Sequence, residues 1–131
     1  MMATFFGTTI NPSPTMVLQA GENMENAQGI ALAIKDGKAV KPEAGVNVIG
    51  ISLITNDEVI EMGADITIQI KDMGKWVAGE KLCAGDELTT DANGRAVKAA
   101  AGNFITAVAL SDAQKAGSFV KIQLIKAGYK A

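Results

Sequence analysis

The chain states one segment twice. Gly37-Lys38-Ala39-Val40-Lys41-Pro42-Glu43-Ala44-Gly45 returns as Gly94-Arg95-Ala96-Val97-Lys98-Ala99-Ala100-Ala101-Gly102, with six identities in nine positions. Each copy runs into a β-rich stretch, Val48–Leu53 and Ile105–Leu110. Each closes on an alternating segment, Ile66-Thr67-Ile68-Gln69-Ile70 and Val120-Lys121-Ile122-Gln123-Leu124. Upstream, Ala20-Gly21-Glu22 answers Ala78-Gly79-Glu80. Two copies of one β-unit, about 17–71 and about 77–126, therefore fill most of the 131 residues and leave little chain for a dedicated active site.

The local patterns are those of short strands. Asp65–Lys71 alternates without error, with isoleucines on one face and polar residues on the other, as a half-buried antiparallel strand requires. Asp36-Gly37 and Asn93-Gly94 are hairpin dipeptides whose residues tolerate positive φ, and both predict two-residue type I′ turns. Met16–Gln19, Ile30–Ile34, Ala39–Lys41, a long Val46–Ile54, Glu87–Thr90, Arg95–Lys98, Phe104–Leu110 and Ser118–Lys126 complete the expected strands. Asp72–Lys75 is expected as a loop, and Glu22–Gln28 and Thr55–Gly63 as loops or single helical turns. No amphipathic helix of ten residues appears. With Gly and Asn/Asp turns at even spacing, the pattern predicts an all-β fold, a small antiparallel barrel or sandwich. Residues 16–131 form one domain. Residues 1–15 stand apart as an extended arm, because Pro12 and Pro14 disfavour helix and central strand alike.

Composition excludes several function classes. There is no histidine, which removes the common zinc sets and the Ser-His and Cys-His nucleophile pairs. The one cysteine, Cys83, has no intrachain partner and reads as a small half-buried apolar side chain. No phosphate-binding glycine loop or nucleophile elbow is present. The neighbouring carboxylates Asp57, Glu58 and Glu61, and Asp86 and Glu87, read as solvated loop residues rather than an acid–base pair. The net charge of −2, without a Lys/Arg cluster, argues against nucleic acid as partner. Apolar runs fall far short of a membrane-spanning helix, and the N-terminus lacks the pattern of a secretory signal, so the expectation is a soluble protein made in a cytosol. No metal and no cofactor are expected.

What remains points to contact surfaces. The arm carries Phe5, Phe6 and Ile10 beside Thr8, which suits an extended segment adding a strand to a partner's sheet edge. The bland reading is a solvated terminus. Trp76, the only tryptophan, is either core filler, a lid on one end of the fold, or an interface anchor. Met62 and Met73 are local packing or contact surface.

The second repeat also carries a resemblance. Ala78-Gly79-Glu80, Ala84-Gly85-Asp86, Thr90 through Val97, Val108-Ala109-Leu110, Gly117 and Val120–Leu124 follow the order of motifs in the capsid cement, or head decoration, proteins of tailed bacteriophages. In that family a segment of the type A-G-D-x-V-x-x-D-x-x-G-R-x-V leads to a V-I-G-V-A strand, echoed here by Val48-Ile49-Gly50-Ile51. The chain departs from it at Ala107, where the family's usual residue is glycine. The resemblance spans roughly residues 17–126 and brings no catalytic residues. It implies a virion protein that binds the capsid exterior and cements neighbouring major capsid subunits. Phe5, Phe6, Thr8 and Ile10 would then contact the shell, and Trp76 and Met62 would lie at shell or oligomer contacts. A symmetric homo-oligomer is expected, a trimer or else a dimer. The rival class is a small ligand- or carbohydrate-binding β-module.

Overall fold

The computed structural model describes residues 12–131. Ten strands form two five-stranded sheets, and every strand pair is antiparallel. The first sheet contains β1 (Thr15–Gln19), β2 (Ala31–Lys35), β3 (Lys38–Val40), β4 (Gly50–Ser52) and β5 (Asp65–Gln69), in the order β1-β5-β4-β2-β3. The second contains β6 (Met73–Val77), β7 (Glu87–Thr90), β8 (Ala96–Lys98), β9 (Phe104–Ala109) and β10 (Phe119–Tyr129), in the order β6-β10-β9-β7-β8. Counted within each half, the two orders are the same. Neither sheet closes on itself, so the fold is a two-sheet, sandwich-like arrangement and not a barrel.

Smaller features match as well. Ala20 bridges Ala39 in parallel, and Ala78 bridges Ala96. The Glu22 carboxylate accepts from Lys41 N–H and that of Glu80 from Lys98 N–H, both at 2.8 Å. Met24 exchanges backbone bonds with Ile60, and Leu82 with Ala113. The Met24–Ile60 bridge holds the loops that were open to a helical reading at 22–28 and 55–63. Both are bends and turns pinned across the half, and no described residue is helical.

Each half has its own apolar cluster. Ala20, Met24, Ile30, Leu32, Ile66 and Ile68 lie in the first. Trp76, Leu82, Leu88, Ala107, Val120 and Ile122 lie in the second, which also draws Ala31, Val48 and Ile51 from the first half. That sharing makes one body of the two sheets. It also explains why the expected long strand at 46–54 shortens to Gly50–Ser52. Ile49 N–H still bonds Leu32 C=O at 2.8 Å, but the chain before it reaches the other half, where Gly45 N–H bonds Thr90 C=O at 2.8 Å and Gly45 C=O accepts from Phe104 N–H at 3.0 Å.

Other local expectations are corrected too. The chain bends at Lys71 and Asp72, the latter at φ +70°, so β6 already begins at Met73 within the expected loop. The Gln69 amide holds that turn by donating to the carbonyls of Lys71 and Met73. The last strand runs on to Tyr129 through an irregularity between Leu124 and Gly128 that lets its end pair with Phe104 and Ile105. Asp36 and Gly37 both have positive φ, as a type I′ turn requires. Gly94 has φ +79°, but Asn93 is not in that region. Asp91 and Arg95 instead flank a three-residue loop, a type I turn ending in a left-handed glycine, with the Asp91 carboxylate accepting from Asn93 and Arg95 N–H.

Candidate contact surface

The arm residues Phe5, Phe6, Thr8 and Ile10 lie outside the described residues. The described chain enters through Pro14, whose carbonyl accepts from Ile70 N–H at 2.8 Å. It then joins β1, an edge strand of the first sheet.

Trp76 has no exposed surface. Its indole N–H donates to Gly94 C=O at 2.8 Å, deep in the second cluster. The tryptophan thus satisfies its polar atom internally, as a core residue does. Met62 is 64% exposed, on the loop before β5, with its N–H bonded to the Asn23 side chain. The fold does not bring Met62 and Trp76 together. Met73 is exposed as well. Cys83, expected half-buried, is exposed because its loop is held by the backbone: Cys83 N–H bonds the Asp86 carboxylate and the side chain is left outside.

Met62 belongs to a broader feature. It lines an open groove of about 890 Å³ with Ile34, Val40, Val46 and Pro42, beside the Lys35–Lys38 hairpin. Ile34 is 54% exposed there. The sequence reading placed Ile34 in a strand and missed its exposure. The available signal was its counterpart: Ile34 pairs with Ala39 as Thr90 pairs with Ala96, so an isoleucine stands where the other half has a threonine. A second open depression, about 530 Å³, is lined by Asn23, Glu25, Lys41, Val59 and Glu61, among others. Neither groove carries an aromatic side chain.

The surface electrostatics are mild. Lys130 pairs with Glu87 at 2.5 Å and Lys98 lies 4.0 Å from Asp86. Lys126 donates to Ile49 C=O at 3.1 Å, and partial burial holds its ammonium below the usual lysine range. Among the described residues, no group of three or more Cys, Asp or Glu is placed to hold a metal ion, and no helix is long and apolar enough to cross a membrane.

These features define a class: an all-β body of two like-ordered sheets, with edges and open apolar grooves as its points of contact. The phage cement protein family matches residues 19–124, and the chain belongs to that family. It is a structural, capsid-associated phage protein. Among solved structures, the fold resembles that of the head fiber gp8.5 N base of bacteriophage phi29, with a TM-score of 0.66 and 16% identity over 89% of this chain and 98% of that one. No curated protein matches the sequence.

Proposed function

We propose that the protein binds the exterior of the phage shell and ties neighbouring major capsid subunits together, without catalysis, as a homo-oligomer with a trimer favoured over a dimer. The family match over residues 19–124 carries this reading. The two-sheet body supports it, being tied together across its halves, with both of the grooves described above open to solvent. Closed rotational symmetry suits a shell that offers repeated sites, and several weak contacts on one oligomer multiply into firm attachment.

In this reading residues 1–15 are a contact arm, whose last residue, Thr15, already pairs with Gln69 in the first sheet, and 16–131 a single domain made of two copies of one unit. Their matched strand order, parallel bridges and glutamate–amide bonds support the duplication. Phe5, Phe6 and Ile10, with Thr8 between them, meet the shell protein along an exposed sheet edge, and each phenylalanine leaving water contributes roughly 1.5–3 kcal/mol. Met62 adds contact from the body. Trp76 acts only from within, by holding the Gly94 turn. The ligand-binding alternative would need an aromatic-lined pocket, and the two grooves lack one.

The test removes residues 1–11, stopping short of the Pro14–Ile70 bond. Circular dichroism and thermal melting are expected to stay those of the full chain, while co-sedimentation with purified shells falls severely. Unchanged shell affinity would remove the arm from the account and leave Met62 and its groove as the contact.

A further inference from the structure

The two halves meet in a way that leaves one surface of each unused. From the first half, Gly29 C=O accepts from Val77 N–H at 2.8 Å, and Ala31 N–H donates to Gly94 C=O at 2.7 Å. The Gly45 loop lies over Thr90, which is fully buried. So the Gly29–Ala31 edge and the Gly45 loop of one half cover the hairpin and Thr90 of the other. Were this contact two-fold, the reverse set would also meet: the hairpin tip at Gly37 and Ile34 against the Gly85–Glu87 edge. It does not. A Cβ at Gly37 or at Gly85 would meet nothing within 4 Å, whereas one at Gly94 would lie 2.7 Å from Ala31 C=O.

The correspondence of these positions rests on register. Gly29 N–H bonds Ser52 C=O and Gly85 N–H bonds Ala109 C=O. One strand position on, Ser52 N–H bonds Ile30 C=O and Ala109 N–H bonds Asp86 C=O. Gly29 and Gly85 both have positive φ, as do Gly45 and Gly102. Ile34 and Thr90 are equivalent through their partners Ala39 and Ala96. Thr90 is fully buried, with its C=O taking the Gly45 N–H of the other half, and Ile34 is 54% exposed. A larger, apolar residue thus stands uncovered at the position whose counterpart is sealed.

We infer that the Ile34 groove and the Lys35–Lys38 hairpin of one copy receive the Gly85–Glu87 edge and the Ala99–Gly102 loop of a second copy, head to tail, repeating between chains the contact made within each chain. The inference rests on the homo-oligomer reading above and names its interface. Three features fit it. The exposed loop ends in Ala100, Ala101 and Gly102, small enough to lie over Ile34 and Val46 as the Gly45 loop lies over Thr90. Lys35 and Lys38 flank the free tip, and Glu87, already paired with Lys130 of its own half, sits at the incoming edge, where a lysine of the second copy would share its carboxylate. The surfaces differ from each other, so the contact is heterologous and gives a closed ring when its rotation closes. One element is not repeated. Gly102 N–H is bonded to Lys130 C=O in its own half, so the loop covers Ile34 with methyl groups and not with the amide–carbonyl pair seen at Gly45 and Thr90.

Two variants of the full chain test this. Ile34→Asp alters an exposed side chain, and sedimentation velocity is expected to show self-association weakened roughly tenfold or more per contact. In a Cys83→Ser background, Lys38→Cys with Glu87→Cys is expected to give covalent multimers on mild oxidation, and neither single cysteine is. The counterparts of these positions, Arg95 and Ala31, flank and form the Gly94–Ala31 hydrogen bond. If the wild type self-associates but Ile34→Asp does so equally, or the cysteine pair does not cross-link, this interface is wrong and the homo-oligomer reading stands. If the wild type is monomeric at every concentration and shows no ordered oligomer on shells, both fall.

Discussion

Gly94 and Gly37 sit at equivalent hairpin tips in opposite settings, and the pair isolates what joins the two halves. An alanine at either must adopt a left-handed φ, near +79° or +77°, which costs about 1–2 kcal/mol. At Gly37 that is the whole effect, because the new methyl group points into open space. At Gly94 the methyl group would stand 2.7 Å from Ala31 C=O and 3.0 Å from Ile30 Cβ. Backbone cannot yield cheaply there, so the turn must lift. Lifting stretches the bonds that Ala31 N–H and the Trp76 indole make to Gly94 C=O, at 2.7 and 2.8 Å. Both residues are fully buried, and a buried donor left unpaired costs about 1–3 kcal/mol. Gly94→Ala is therefore expected to lose about 3–5 kcal/mol and Gly37→Ala about 1–2 kcal/mol. Urea unfolding followed by the fluorescence of Trp76, the only tryptophan, measures both, provided the slope with urea stays constant. Equal losses in the two variants would refute the claim that the Gly94 turn is the joint between the halves.

Three further outcomes follow from the packing. The hydroxyls of Thr89 and Thr106 are buried without a hydrogen-bond partner, so Thr89→Val and Thr106→Val should each be neutral or raise stability by about 1 kcal/mol in thermal melts. Trp76→Phe keeps most of the apolar volume but removes the bond to Gly94, and should cost about 1–3 kcal/mol by urea unfolding followed by circular dichroism, with no direct loss of a shell contact. Glu22→Ala and Glu80→Ala remove equivalent exposed bonds to Lys41 and Lys98 N–H, and should lower stability by similar amounts, about 0.5–1.5 kcal/mol; a large difference would mean the two sites are not equivalent.

Much of the fold was legible because it is carried by short-range patterns. The alternation of Asp65–Lys71 fixed a strand, and Asp36-Gly37 fixed a two-residue turn with both residues at positive φ. What escaped depended on contacts between the halves. Asn93-Gly94 looks like the same hairpin signal, yet the extra residue and the approach to Ala31 select a three-residue loop. Val46–Val48 has strand composition, but its backbone joins no strand ladder, and Val48 packs in the other half's cluster. The exposure of Ile34 could not be read from β2 itself, since only comparison with buried Thr90 shows it to be anomalous. Cys83 has the composition of a core residue, and a backbone bond to Asp86 decides otherwise. The arm residues Phe5, Phe6, Thr8 and Ile10 lie outside the described residues, and their proposed contact role rests on composition alone.

The central claim is that the protein joins a phage shell and holds its subunits together. It is tested most directly by adding purified protein to shells that lack it, imaging them at the level of individual capsomers and measuring the temperature at which they disrupt. The account predicts ordered density on the outer surface bridging neighbouring subunits, together with a higher disruption temperature. Shells that stay bare at saturating protein, or that bind it with no bridging and no gain in stability, would contradict it.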